Sequence, residues 1–257
     1  AYDITTAVYE LEFNVGAQET NPTGLRFNAA GTKMYIVGFS GDEVNEYSLS
    51  TAFDVSSATF VSNFSVSSQE SSPGFIAFGG NKMFVGGAAS DRVYQYSLAA
   101  AGNPISTAVY DNVSFSFSSQ DGTPDEIDFN PDGTKMFILG TTNDSIFQYS
   151  LSTAYDISTA TYDGLSLSTR SLAVTPESIR FNSDGTKLYT LDDQFDVVYQ
   201  HNLSSAYDIT SANLANVSVF SINEEVNPTG LSFNNDGTRM FVIGRSNDAI
   251  FQYDLST

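Results

Sequence analysis

Phe129-Asn130-Pro131-Asp132-Gly133-Thr134-Lys135-Met136-Phe137 is the phrase on which the architecture turns. Its first residue returns at Phe27, Phe78, Phe181 and Phe233, so successive copies start 51, 51, 52 and 52 residues apart. Residues 27–35, 181–189 and 233–241 repeat the phrase in full, and residues 78–84 repeat it two residues shorter. All four methionines fall on one position of the phrase (Met34, Met83, Met136, Met240), with Leu188 in the fifth. A second phrase follows, Ser145-Ile146-Phe147-Gln148-Tyr149-Ser150-Leu151, and then a third, Ala154-Tyr155-Asp156-Ile157, echoed from Ala1, Ala52 and Ala206.

Each copy reads as four strands. Residues 24–27 are short and apolar, and a tight turn, Asp-Gly in three of the copies (Asp132, Asp184, Asp236), leads on to residues 33–37, because glycine accepts positive φ without steric cost. An Asn-Asp or Gly-Asp turn leads to residues 44–49, and a polar loop to the alternating stretch 59–66. Helical periodicity is absent. Five units of four short strands, each unit close to 51 residues, predict an all-β, five-bladed β-propeller of four-stranded antiparallel blades. A solenoid would need polar capping repeats, which neither end supplies. The phase favours a ring: the chain opens with a fourth strand, residues 7–15, and closes with a third, 249–255. The N-terminal strand is therefore expected to complete the last blade. The repeats run approximately 16–66, 67–117, 118–168, 169–222 and 223–257 plus 1–15, in one domain. A chain that opens in mid-pattern also reads as a mature or excised piece of a larger protein, with no signal peptide visible.

Composition narrows the function classes. Ten Lys+Arg against 30 Asp+Glu give a net charge of −20. That balance excludes a nucleic-acid partner, since phosphates would be repelled. It equally disfavours anionic membranes, and no apolar run is long enough to insert. Without cysteine there are no disulfides or thiolate sites, and one histidine excludes a multi-histidine metal centre. Hydrophobic residues at 41% are sufficient for a packed core. Phosphate-loop, nucleophile-elbow and dinucleotide fingerprints are missing. Asn-x-Ser/Thr triplets at Asn63, Asn112, Asn143, Asn202 and Asn216 are the chance yield of a chain rich in those residues.

The form Pro-Thr-Gly-Leu-x-Phe-Asn-x-Asp-Gly-Thr-Lys-Met-Tyr-Val resembles the YVTN and NHL-like β-propeller repeats. With Asn-Asp before the third strand and Ala-Tyr-Asp-Ile-Ser-Thr-Ala after it, it is similar to repeats of marine bacterial and phage type. The resemblance covers essentially the whole chain. It implies a propeller of the secreted, cell-surface or virion-associated kind and is nearly silent on activity.

Most recurring residues have structural roles. The five phenylalanines should pack between blades, and the methionines fill gaps. His201 stands where other repeats have Tyr47, Tyr96, Tyr149 and Tyr253, which makes it a substituted packing residue. Asp132, Asp184 and Asp236 cap their own turns, and the same reading holds for Asp3, Asp54, Asp156 and Asp208.

The informative positions are those where the repeat breaks. Loops preceding each first strand carry Gln18-Glu19, Gln69-Glu70, Gln120-Asp121, Thr169-Arg170 and Glu224-Glu225, all expected at the mouth of the central channel. Asp125, Glu126, Asp128 and Glu177 gather on two adjacent repeats, with Arg26 and Arg180 at the position equivalent to Asp128. The candidate ligand-binding set is thus Glu19, Glu70, Asp121, Asp125, Glu126, Asp128, Arg170, Glu177 and Glu224. Three chemistries compete for it. One is a non-enzymatic pocket for a surface glycan or protein. Another is an extracellular carbohydrate-active hydrolase, since five-bladed glycosidases exist and need two carboxylates ~5–10 Å apart. The third is a hard cation such as Ca²⁺, which takes six to eight oxygens, though no EF-hand spacing occurs and no other cofactor is expected. A solvated acidic rim explains the same residues without any ligand. The expected role is non-enzymatic binding or display at a cell or virion surface, by a monomeric domain or part of a larger protein.

Overall fold

A computed structural model describes residues 1–99, 104–171 and 173–255. Twenty strands form five separate four-stranded antiparallel sheets. Blade one comprises β2 (Pro22–Phe27), β3 (Lys33–Gly38), β4 (Glu43–Leu49) and β5 (Ala58–Ser65). Blade two comprises β6 (Pro73–Gly79), β7 (Lys82–Gly87), β8 (Arg92–Ser97) and β9 (Val109–Ser116). Blade three is β10 (Pro124–Phe129), β11 (Lys135–Gly140), β12 (Ser145–Leu151) and β13 (Ala160–Ser168). Blade four is β14 (Pro176–Phe181), β15 (Lys187–Asp192), β16 (Val197–Asn202) and β17 (Ser218–Ser221). In blade five, β18 (Pro228–Phe233), β19 (Arg239–Gly244) and β20 (Ala249–Leu255) are joined by the N-terminal strand β1 (Ala7–Asn14), in the order β1-β20-β19-β18.

The first strand of each blade is innermost, and these five strands contact one another in a closed cycle, β2-β6-β10-β14-β18 and back to β2. The ring is a five-bladed β-propeller. Strands are longer by one or two residues than the apolar runs suggest, because Pro22 and its equivalents still pair across the blade before a bulge at the next residue. The end of the ring where the inner strands begin is called the upper face below, and the end with the Asp-Gly turns the lower face.

Aromatic pairs cement the blades. Each inner-strand phenylalanine meets a second-strand aromatic of the preceding blade: Phe78 with Tyr35, Phe129 with Phe84, Phe181 with Phe137 and Phe233 with Tyr189, at ring-centroid distances of 4.4–4.7 Å. Phe27 closes the cycle on Phe241 of blade five at 4.5 Å. The Tyr-Asp phrase forms the outer lower loop. Its aromatic residue takes positive φ (Tyr2, Phe53, Tyr155, Tyr207) and lies flat over the turn glycine. Gly133 shows why glycine is needed there: its φ is +70°, and a Cβ would sit 2.4 Å from the Tyr155 ring. The following Asp caps a single 3-10 turn, as Asp156 accepts the Ser158 N–H at 3.0 Å. The first N–H of that turn bonds to the preceding blade, Ile157 to Gln95 Oε1 at 3.0 Å and Val55 to Gln252 Oε1 at 3.1 Å.

The closing strand departs from simple alternation. A strict period of two would bury Tyr9, Leu11, Phe13 and Val15 together. Instead a bulge falls between Tyr9 and Leu11, leaving Tyr9 40% exposed, Leu11 and Phe13 half-buried and Val15 fully buried. The bulge turns Glu10 toward Gln252, accepting from its Nε2 at 2.6 Å. Blades two and three bulge at the same place and present Asp111 and Asp163 to Gln95 and Gln148, at 2.8 and 2.9 Å. A bulge re-aims one side chain at the cost of the two-residue pattern, so alternation alone misreads it.

Candidate functional site

The acids of the upper loops divide by what holds them. Glu19 takes backbone N–H groups from Asn21, Ser40 and Gly41. Glu70 does so from Ser72 and Ala89, Asp121 from Thr123, Thr142 and Asn143, and Glu225 from Asn227, Ser246 and Asn247. Each carboxylate thereby pins the loop entering a blade to the turn between its second and third strands. A glycine closing the second strand makes room, since a Cβ on Gly140 would lie 2.4 Å from the Asp121 carboxyl carbon. In blade four the pair is exchanged: Ala173 replaces the acid and Asp192 replaces the glycine. Asp192 then receives the N–H groups of Val174, Thr175 and Phe195 at 2.6–2.9 Å. Glu224 accepts the Tyr253 hydroxyl at 2.8 Å, as Gln18, Gln69 and Gln120 accept Tyr47, Tyr96 and Tyr149. Arg170 lies outward, its Nε 2.9 Å from Asp144 Oδ2.

The four inner-strand acids are spread along the channel. Asp125 and Glu177 lie at the upper mouth, one residue above the channel-facing layer. Glu126 is at mid-height, 2% exposed, between Arg26 Nη2 at 3.0 Å and Arg180 Nη2 at 2.7 Å, with Ser178 Oγ at 3.0 Å. Burial pushes its carboxyl up to about 7, against the pull of Arg26. Phe75, fully buried, holds the equivalent position in blade two, with its ring packed over Gly86. Asp128 lies lower, accepting the Phe129 and Phe181 N–H groups at 3.0 Å each, and burial raises it too.

The upper mouth holds the chemistry with free capacity. Glu177 Oε2 is 3.0 Å from Arg245 Nη2, and the Arg245 guanidinium stands 5.4 Å over the Phe39 ring, a cation–π distance. Arg245 Nε has no hydrogen-bond partner among the described residues. Burial lifts Asp125 to about 6, opposed by Thr141 and Arg245. Burial and the neighbouring Asp125 lift Glu177 to about 7, again opposed by Arg245. Asp193 is raised by burial and held down chiefly by Arg245. In the upper loops of blades four and five, Val174, Phe195 and Val226 are 47%, 52% and 69% exposed. The site therefore offers a guanidinium N–H without a partner among the described residues, two carboxyls raised by burial, an aromatic face and exposed apolar residues on the same upper face.

Phe39, Thr141, Asp193 and Arg245 are members sequence reasoning missed. All follow the last residue of a second strand, a position that also holds Ala88 and so differs in every blade. That variability was the available signal. The expected counter-ion, Arg170, is away from the mouth, and Arg245 fills the role. Among the described residues no group of three or more His, Cys, Asp or Glu could hold a metal ion.

His201 is 2% exposed and shares a hydrogen bond with Thr190 Oγ1 at 3.1 Å through Nε2. Desolvation lowers it to about 4, so it is a neutral packing side chain at pH 7.

No family model matches the chain, and no curated protein matches it. Solved structures do. One is a functionally unknown protein from Desulfotomaculum acetoxidans: 17% identity, TM-score 0.55, covering 88% of this chain and 66% of that one. A Bacteroides uniformis protein provisionally named a 6-phosphogluconolactonase is 12% identical at TM-score 0.55, over 91% of this chain and 72% of its own. A Lactobacillus plantarum protein is 17% identical at TM-score 0.54, over 91% and 67%. The chain thus spans about two thirds of the length of these propellers, and at such identities the likeness is one of fold.

Proposed function

We propose that this chain is a non-enzymatic binding module of the YVTN/NHL-like kind, which takes a surface glycan or protein ligand at its upper mouth. The observation that supports this is the Arg245 cluster: a buried N–H without a partner among the described residues, flanked by Asp125 and Glu177 and backed by Phe39, on a ring whose loop acids Glu19, Glu70, Asp121 and Glu225 are spent on its own backbone. Aromatic faces beside carboxyl and guanidinium groups suit hydroxyl-rich ligands, and exposed apolar residues suit a protein. A setting outside the cell, on a cell or virion surface, is part of the proposal. Glycosidic hydrolysis is less well served. It needs one carboxyl held protonated and one ionised, whereas burial drives Asp125 and Glu177 in the same direction.

A glycan array with purified protein, with and without Ca²⁺, is the test, run beside Arg245→Ala. Binding that Arg245→Ala lowers at least tenfold, with an unchanged melting temperature, is the expected result. Turnover of a bound glycan abolished by Glu177→Gln would replace this reading with the hydrolase.

A further inference from the structure

On the opposite, lower face the channel opens into a separate cavity of about 530 Å³. Glu126 and its two arginine partners divide it from the upper mouth. The five ring phenylalanines form its walls, and Arg26, Asp128, Arg180, Ser232 and Ala77 form its floor. The turn tips of blades one, three, four and five border it, but the shorter hairpin of blade two does not, so the rim is lowest there.

The floor carries two guanidiniums. Arg26 is 9% exposed and Arg180 5% exposed. Both bond to Glu126, which stands behind them, and Arg180 Nε has no hydrogen-bond partner among the described residues. Asp128 is the one acid in the lining, and both its oxygens are occupied by backbone N–H groups. Arg26 also donates to the Leu25 and Ile127 carbonyls and Arg180 to the Ile179 carbonyl, which holds both guanidiniums in the cavity lining. A carboxylate matches the planar fork of a guanidinium, and phenylalanine walls favour a flat apolar body.

We infer that the lower cavity is a binding site for a small carboxylate with an aromatic or similarly planar body, seated with its carboxylate on the Arg26–Arg180 floor and its ring among the phenylalanines. This site is independent of the upper mouth and does not rest on its ligand. The volume is within the ordinary range for small-molecule pockets.

Thermal-shift and calorimetric titration of the whole chain with benzoate test this, with benzyl alcohol as the uncharged counterpart. Saturable benzoate binding at ~1 mM is expected for so small a ligand, with benzyl alcohol at least tenfold weaker. Ala77→Leu fills the cavity without touching its charges and should weaken benzoate at least tenfold. Should that variant misfold, Ser232→Leu serves the same end from blade five. Equal binding of benzyl alcohol would overturn the guanidinium role. Benzoate binding unchanged in both filling variants, or no saturable binding, would overturn the site.

Discussion

Single side chains carry consequences that the repeat makes readable. Asn45 is fully buried, and both polar atoms of its side chain lack partners among the described residues. The other blades have Tyr94, Phe147, Tyr199 and Phe251 at its position. Asn45→Leu should therefore raise stability by ~1–3 kcal/mol, the usual cost of a buried unsatisfied amide, read as a higher urea midpoint with unchanged slope. His201 differs, because it works as a neutral group. Its pKa lies below the ordinary 6.5, so its stabilising contribution is present above pH 6.5 and is lost as pH falls toward about 4. Tyrosine hydroxyls at this position bond to Gln18, Gln69, Gln120 or Glu224, and no such partner for position 201 stands among the described residues of blade four. Phenylalanine is thus the apt replacement, and His201→Phe should gain on the parent as pH drops from 6.5 to 4. Glu177 has the opposite sign. Its carboxyl is raised, so its contribution is present at acid pH and lost as pH climbs through about 7. Glu177→Gln should match the parent near pH 5 and exceed it at pH 8, by denaturation at the two pH values.

At the scale of one blade, the loop carboxylate and its facing glycine behave as a unit. Asp192→Gly alone removes the acceptor of three N–H groups and should cost ~2–4 kcal/mol. Ala173→Glu alone forces a second carboxylate against Asp192. The pair together recreates the arrangement of the other blades and should recover most of the loss, as a double-mutant cycle with strong positive coupling. Strands and turns of this kind were legible in the sequence because Asp-Gly, Asn-Asp and the period of about 51 residues are local signals. The bulge at Glu10 was not, because it depends on what Gln252 needs across the ladder. Arg245 and its companions were hidden for a different reason. Phe39, Asp125, Glu177 and Arg245 come from four blades and share no local phrase. Only closing the ring makes them neighbours, and the loop acids that stood out instead are occupied by backbone.

For the molecule as a whole, the N-terminal segment does more than add a strand. Tyr2 covers Gly237, and its carbonyl accepts from Lys187 Nζ at 2.8 Å and Tyr189 Oη at 2.6 Å, while the Ile4 N–H reaches Gln200 Oε1 at 3.3 Å. Residues 1–15 thus couple blade five to blade four as well as closing the ladder. Burial of Val15 and part-burial of Leu11 and Phe13 are worth several kcal/mol at ~1.5–3 for a fully buried side chain, against ~5–15 for a domain. Deleting residues 1–15 should lower the melting temperature sharply and bare the β20 edge to association. A permutant that moves these residues to follow Thr257 should melt within a few degrees of the parent. Calorimetry and light scattering distinguish the outcomes, and a monomeric deletion variant melting like the parent would mean that the ring closes by other means.

The antiparallel ladder between β1 and β20 places Ala7 directly opposite Leu255, both at the lower face. Tension applied between these two points does not shear the ladder; it peels it rung by rung, the weakest way to load a sheet. A propeller tethered through both points would sit on its lower face like a lamp on a bracket, with the Arg245 mouth facing outward. Pulling on the bracket would load the Tyr2 and Ile4 contacts with blade four first and then unlatch β1 from β20.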